Sequence, residues 1–144
     1  MASPRFVDRH AVGSSATPEG VWAALTRSME AAFGGLAHGY ARLVGCDPLD
    51  ASGPRPLAVG STMPGFRVVE ADAPRTLTLV GRHRFSTYEL RFTIEPDGTG
   101  SRLVAHTEAT FPGALGAIYR AAVIRSGAHA VVTRRMIRRI AASA

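Results

Sequence analysis

The sequence predicts an α+β fold in which a curved antiparallel sheet of five to seven strands grips one long C-terminal helix, with two short helices after the first strand. Two observations carry this prediction. In residues 66–111, apolar and polar residues alternate in several successive runs, which is typical of strands. Residues 112–144 combine an apolar stripe of helical period with six arginines and no acidic residue. A sheet followed by one long helix implies a hollow between them, suited to a small apolar molecule.

The composition indicates a single globular domain, residues 1–144. Apolar residues make up 46% of the chain and charged residues 19%, which is typical of a soluble globular protein and not of a disordered one. A cytoplasmic location is expected, for the three reasons that follow. No run approaches the roughly 18 consecutive apolar residues of a membrane span, and the start lacks the apolar stretch of a signal peptide. One cysteine, Cys46, excludes an internal disulfide.

The distribution of charge singles out the C-terminal segment. All 17 basic residues are arginines, a bias that indicates a GC-rich bacterial genome, so the abundance of arginine says little about function by itself. Residues 1–111 hold eleven arginines and eleven acidic residues, so the net charge of +6 comes entirely from the last helix.

The N-terminal third predicts an edge strand and two helices. Residues 5–13 alternate loosely, and Thr17 then precedes Pro18 as a helix N-cap. The first helix is expected from residue 18 to about residue 27, with Val21, Trp22 and Leu25 facing inward. A second helical stretch runs to Val44, and its three glycines weaken it by roughly 1 kcal/mol each. It is either a mobile cover or an irregular helix.

The middle of the chain predicts a loop and then the sheet. Residues 45–58 are rich in proline and glycine, which favours a loop. Four strand-like runs follow, at residues 66–71, 76–82, 83–95 and 101–111, with a turn at residues 96–100. A sixth strand forms only if residues 59–63 pair with a neighbour.

From Ala114 the apolar period becomes helical. One arc of about 100° contains Leu115, Ile118, Tyr119, Ala122, Ser126, His129, Thr133, Met136, Ile137 and Ile140. Five arginines lie on the other side, together with Ile124 and Val131. Roughly 28 residues give a rod of about 42 Å, long enough to cross the sheet, and Gly127 is expected to let it bend.

The order of elements resembles the START-like, or SRPBCC, superfamily of plant pollen-allergen proteins, lipid-transfer domains and bacterial polyketide cyclases. The residues that carry the resemblance are ATPEGVWAAL, GFRVVEADAPRTLTLVGRHRFSTYELRFTIEP and TEATFPGALGAIYRAAVIRSGAH, so it covers nearly the whole chain. It implies a helix-grip fold with a cavity between sheet and long helix. Members bind lipids, hormones or polyketides there, and only some of them catalyse a reaction.

Strand 83–95 provides the first candidate site residues. Its even positions place Arg84, Ser86 and Tyr88 in line with Leu90 and Phe92, so that polar groups cluster at one end of an apolar face. Arg84 could hold a carboxylate or enolate, and Tyr88 could donate to a carbonyl. The alternative is that Arg84 lies at a solvated strand start and Tyr88 belongs to the core.

His129 is the third candidate catalytic residue, because it lies within the apolar arc of the last helix. An imidazole there could act as a general base, or it could be a core residue with satisfied hydrogen bonds. His106 is predicted at the surface, and the position of His83 stays open. The predicted ligand-binding residues are Phe33, Tyr40, Ser86, Leu90, Phe92, Phe111, Tyr119 and Met136.

Other kinds of site find little support in the sequence. The five histidines show no metal-ligand spacing and Cys46 has no partner, so no metal is expected. Glycine-rich nucleotide motifs are absent from the sequence, so no cofactor is expected either.

These observations favour binding of a small hydrophobic, oxygenated ligand, either by a polyketide cyclase or dehydratase or by a carrier or sensor without activity. Nucleic-acid binding through the arginine face is disfavoured, because that face has no interleaved aromatic residues. Whether the protein is a monomer or a homodimer stays open, since Ile124 and Val131 could form a contact.

Overall fold

The structure of the protein, a computed structural model, describes residues 5–31 and 36–144. The predicted ligand residue Phe33 lies outside the described residues. The strands are β1 (Phe6–Ser14), β2 (Thr62–Met63), β3 (Phe66–Asp72), β4 (Thr76–His83), β5 (Ser86–Asp97) and β6 (Gly100–Thr110). The helices are α1 (Pro18–Ala31), α2 (Leu36–Val44), α3 (Gly113–Arg120) and α4 (Ala128–Ser143), with a π-helical turn (Ala121–Arg125) between the last two.

The six strands form one curved antiparallel sheet in the order β1-β6-β5-β4-β3-β2. The first strand is therefore an edge strand, as predicted. The other edge is β2, in which Thr62 pairs with Arg67 and Met63 with Phe66, so a sixth strand does form, from the last two of residues 59–63. The α+β helix-grip architecture predicted from the sequence is confirmed.

Helix α1 begins as the sequence predicts and continues for one more turn. The Thr17 hydroxyl accepts a hydrogen bond from the Gly20 backbone N–H at 3.2 Å, which is the N-cap arrangement. Val21 and Leu25 are fully buried against the sheet, and so is Met29 beyond the predicted end. The buried stripe thus extends to residue 29, which keeps the last turn on the core.

The predicted strand 83–95 is in fact divided by a hairpin turn. His83 ends β4 and pairs with Ser86, so Arg84 and Phe85 form the connection. Alternation stops at this turn, and Arg82 and Arg84 do not share the inward face of Ser86 and Tyr88. Arg82 lies outside, where its guanidinium pairs with the Asp47 carboxylate at 3.0 Å, and Arg84 is exposed in the turn.

The C-terminal helix is not the continuous rod that the sequence predicted. Gly127 has a left-handed φ of 80°, which interrupts the helix between the π turn and α4. The preceding π turn also shifts the helical phase. As a result Leu115 and Ile118, predicted to face inward, are each 66% exposed, whereas Ile124, predicted on the arginine side, is half-buried.

The hydrophobic core occupies one end of the space between sheet and helices. There α1 and the end of α4 pack on the sheet, and Leu25, Phe92, Leu103, Ile137 and Ile140 are at most 2% exposed. Along β5 the inward face continues from Ile94 and Phe92 to Leu90, Tyr88 and Ser86. The last three reach the opposite end, where the side chains leave a cavity.

Candidate ligand-binding cavity

A cavity of about 330 Å³ lies between the sheet, α2, α3, the π turn and α4. Its wall is mainly apolar and aromatic, and the apolar lining residues are Phe6, Met29, Ala41, Pro64, Phe66, Leu90, Ala109, Phe111, Val123, Ile124, Val132 and Met136. The polar lining groups come from strands β4–β6, from the C-terminal helices, and from Tyr40 on α2 and Cys46 in the loop after it. The hollow that the sequence predicted is therefore present, although a broken helix closes it.

Most of the residues predicted to touch a ligand line this cavity. They are Tyr40, Ser86, Tyr88, Leu90, Phe111, Tyr119, His129 and Met136. Phe92 does not, because its position one pair further along β5 places it in the core with no exposed surface. Arg84 does not either, since the turn directs it toward the backbone of Gly45. The functional roles given to these residues stay predictions.

Tyr88 is held in place by a backbone carbonyl. Its hydroxyl donates to the Gly65 carbonyl oxygen at 2.6 Å, and the Cys46 sulfur lies 3.9 Å from the same hydroxyl. Gly81 faces Tyr88 across the β4–β5 pair, and a Cβ at Gly81 would lie 2.8 Å from the Tyr88 ring. Burial, followed by the neighbouring thiol, raises the pKa of Tyr88 far above its ordinary value. Tyr88 is therefore a neutral phenol whose proton is already engaged.

An aromatic cluster forms the end of the cavity next to α3. The ring of Tyr119 lies 4.8 Å from that of His83 and 5.3 Å from that of Phe85, between centroids. The Tyr119 hydroxyl also bonds that of Tyr40, which joins α3 to α2. Burial, followed by this hydrogen bond, raises the pKa of Tyr119. Tyr40 is 49% exposed, so this pair lies where the cavity meets solvent.

His83 is a site residue that the sequence left undecided. It ends β4 on the cavity side, and its Nδ1 accepts a hydrogen bond from the Phe85 backbone N–H at 3.1 Å. Burial lowers the pKa of His83, which favours the neutral imidazole. The alternation of Leu77, Leu79 and Gly81 along β4 was the signal that could have placed it inward.

His129 meets an acidic partner at the other side of the cavity. Its Nε2 lies 3.4 Å from Oδ2 of Asp8 on strand β1 and 3.5 Å from the Thr133 hydroxyl. The His129 ring packs edge-to-face with the Phe6 ring, and the two ring centroids are 5.6 Å apart. Sequence reasoning missed Asp8, although its alternation with Phe6 on β1 was a usable signal.

Two buried oxygens near His129 lack a hydrogen-bond partner among the described residues. They are Oδ1 of Asp8 and the hydroxyl of Thr107, which lie on residues paired across β1 and β6. The other Asp8 oxygen is used by His10 at 3.0 Å and by His129. A buried polar group without a partner is costly, and it commonly marks a functional site.

Comparison with known proteins identifies the family. The model described as polyketide cyclase / dehydrase and lipid transport matches residues 9–144. The chain belongs to this family. The superfamily expected from the sequence is thereby confirmed. None of the curated proteins matches the chain.

Solved structures of the family's fold agree with the architecture. Mll3558 from Rhizobium loti shares 15% identity at a TM-score of 0.58, with 100% of both chains covered. A point mutant of norcoclaurine synthase from Thalictrum flavum, solved with a transition state analogue, shares 16% identity at a TM-score of 0.59, covering 97% of this chain and 96% of that one. Ara h 8.0201 shares 10% identity at a TM-score of 0.60, covering 96% and 97%. At these identities the likeness establishes the fold.

Family membership supports the binding of a hydrophobic ligand. A second depression of about 630 Å³ lies on the outer face of the sheet. Six of its thirteen lining residues are charged, and two of these, Arg5 and Glu108, pair with each other. Because ligand sites are concave and mainly apolar, the interior cavity is the better candidate.

The arginine face of the C-terminal helices is partly engaged within the fold. Arg134 donates to Nδ1 of His10 at 3.4 Å, and the guanidinium of Arg120 lies 5.9 Å from the centre of the Phe111 ring. In the described part of the chain, no helix is long and apolar enough to cross a membrane. Residues 5–31 and 36–144 also contain no cluster of three or more acidic, histidine or cysteine side chains placed to hold a metal ion.

Proposed function

We propose that this protein binds a small hydrophobic, oxygenated molecule in its interior cavity. The observation that carries the proposal is the cavity itself, a hollow of about 330 Å³ with apolar walls and a few inward polar groups. Pockets of this size and character hold small organic ligands, and the few polar groups fix their orientation.

The polar groups form two clusters of different chemistry. His83 and the Tyr40–Tyr119 pair carry hydrogen-bond donors at the end next to α3. His129, backed by the carboxylate of Asp8, offers a base. A ligand with a carbonyl at one end and an acidic C–H or hydroxyl at the other would satisfy both. Polyketide-like chains and oxygenated aromatic rings have this character.

In the enzymatic form of the proposal, His129 is the general base. Its imidazole takes a proton from an activated carbon of the bound chain, the resulting enolate attacks a second carbonyl of the same chain, and the imidazolium then returns the proton to the new alkoxide. Asp8 holds Nε2 and so orients the ring. Arg84 has no part in this scheme, because it is exposed in the β4–β5 turn.

In the carrier form of the proposal, the same cavity holds a lipid or polyketide without changing it. The family description names both cyclase or dehydrase activity and lipid transport. Either form requires occupancy of the cavity, and only the first requires His129.

Native mass spectrometry on protein taken directly from producing cells tests occupancy. The wild type is expected to retain a hydrophobic small molecule. Ala109→Leu, which adds bulk to the cavity wall beside Tyr88, should lower the retained fraction about tenfold. Ala11→Leu is the matched control, because Ala11 is exposed on β1. An empty wild type, or equal occupancy in both variants, would overturn the proposal.

The recovered molecule then serves as substrate to distinguish enzyme from carrier. His129→Gln should reduce the rate of its conversion about a hundredfold or more, the usual contribution of a positioned base. Arg84→Met should leave the rate unchanged. Conversion at the wild-type rate by His129→Gln, or no conversion by wild type, favours the carrier.

A further inference from the structure

We propose that His83 is the residue that recognises a carbonyl oxygen of the ligand, by donating a hydrogen bond from Nε2. This inference rests on the proposed function and specifies the chemical class of the group bound at the α3 end of the cavity.

The first argument is the tautomer of His83. The Phe85 backbone N–H has only one role, that of a donor, and it lies 3.1 Å from Nδ1 of His83. Nδ1 must therefore present a lone pair, so the single proton of the neutral ring is on Nε2. The β4–β5 turn thus fixes the imidazole as a donor through its other nitrogen.

The second argument is the surroundings of the ring. Three aromatic side chains enclose it, with centroids 4.8 Å (Tyr119), 5.6 Å (Tyr88) and 6.0 Å (Phe85) away. Within the described part of the chain, no group accepts a hydrogen bond from Nε2. His83 nevertheless lines the cavity. A donor in an apolar pocket gains most when a ligand atom accepts from it.

The third argument concerns the competing donor. Tyr88 is beside His83, but its hydroxyl proton is given to the Gly65 carbonyl at 2.6 Å. It can therefore not donate to a ligand without breaking that bond. This leaves His83, together with the Ser86 hydroxyl across the β4–β5 pair and the Tyr40–Tyr119 hydroxyl pair, as the source of donors at this end.

The charge of the cavity determines which oxygen binds. None of the described residues that line it is an arginine, and the chain has no lysine. A carboxylate would be buried there without a compensating charge, which is unfavourable. A neutral ketone or aldehyde oxygen needs only the hydrogen bond, so the site fits a carbonyl compound.

The test compares two probes of nearly the same shape, 2-acetylnaphthalene and 2-isopropenylnaphthalene, which differ by an oxygen in place of a methylene. Affinities are measured by fluorescence titration at pH 7.5. We expect the wild type to prefer the ketone about tenfold, as one additional hydrogen bond implies.

Two substitutions separate ligand binding from the role of His83 in the turn. In His83→Asn the amide oxygen can replace Nδ1 and keep the bond from Phe85, but the donor at the Nε2 position is lost. In His83→Gln the amide nitrogen can replace Nε2, and the turn bond is lost instead. The His83→Asn variant should lose the ketone preference, and the His83→Gln variant should keep it. His106→Asn, on the outer face of β6, is the matched control.

The outcomes distinguish the two levels of the proposal. If neither probe binds the wild type, the proposed function and this inference both fail. His83 has only a structural role if both probes bind the wild type without a preference for the ketone. The same conclusion holds if His83→Asn keeps the ketone preference and His83→Gln loses it. In either case the cavity remains a ligand site. Thermal unfolding of each variant confirms that it is folded.

Discussion

The carboxylate of Asp8 lies 3.4 Å from Nε2 of His129, and this contact joins the first strand to the last helix. The two residues are separated by almost the whole chain, yet they meet beside the cavity. The pair is partly buried, since the side chains are 17% and 26% exposed. The Asp8–His129 pair should therefore contribute to the stability of the fold, and it also takes part in the chemistry proposed for the cavity.

A double-mutant cycle measures this contact. Asp8→Ala and His129→Ala should each destabilise the protein, and their effects on the free energy of unfolding should fall short of additivity by about 0.5–1 kcal/mol. Urea unfolding gives the four values. The exposed pair Asp72–Arg75, 3.0 Å apart, is the control and should couple less. Full additivity for Asp8 and His129 would show that the contact contributes nothing.

The unpaired hydroxyl of Thr107 leads to a prediction about stability. Because it has no described hydrogen-bond partner, Thr107→Val should leave the free energy of unfolding unchanged or raise it. Thr78→Val is the matched control, since the Thr78 hydroxyl donates to Glu70 at 3.1 Å, and should cost about 1 kcal/mol. Equal losses in the two variants, measured by urea unfolding, would mean that Thr107 is hydrogen-bonded after all.

Gly81 is predicted to be essential for the position of Tyr88. A methyl group there would meet the Gly65 carbonyl oxygen and lie 2.8 Å from the Tyr88 hydroxyl, so Gly81→Ala should destabilise the protein by about 2 kcal/mol. Gly13→Ala, on β1, has nothing within 4 Å of the added atom and should change stability little. Thermal and urea unfolding compare the two, and a harmless Gly81→Ala would contradict the packing described for Tyr88.

The stability of the protein should depend on the protonation of His83. Burial lowers its pKa in the folded state below the ordinary value of 6.5, so the unfolded chain binds the proton more readily. The contribution of His83 is then complete above pH 6.5 and declines as the pH falls below that value. Unfolding free energies at pH 7.5 and 5 should show a loss that is smaller in His83→Asn. An identical loss in this variant would exclude His83 as its source.

Cys46 gives a direct report of cavity occupancy, because it is the single cysteine of the chain and lines the cavity. Burial raises the pKa of its thiol, so the reactive thiolate is scarcer than in an unfolded chain. Alkylation by iodoacetamide at pH 8 should be slower in the folded protein than in urea, and slower still with 2-acetylnaphthalene present. Mass spectrometry follows the reaction. A folded protein that reacts as fast as the unfolded one would contradict the burial of Cys46.

Local patterns in the sequence were sufficient for most of the architecture. Period-two alternation in β5 and β6 and the capping of α1 by Thr17 depend on neighbouring residues, and both appear in the structure as predicted. Alternation also located Ser86, Tyr88 and Leu90 on the cavity wall. The broken course of the last helix was not predictable in the same way, since Gly127 is compatible with a bend or with a left-handed stop.

The sequence by itself determined the family, the order of strands and helices and the presence of a hollow, because each follows from short-range periodicity and from resemblance along the whole chain. Only the tertiary structure decided which polar groups meet in that hollow. The pairing of β1 with β6 places Asp8 next to His129. The turn after β4 leaves Arg84 exposed to solvent, whereas His83 lines the cavity. Such contacts depend on register and helix direction, which distant parts of the chain fix together.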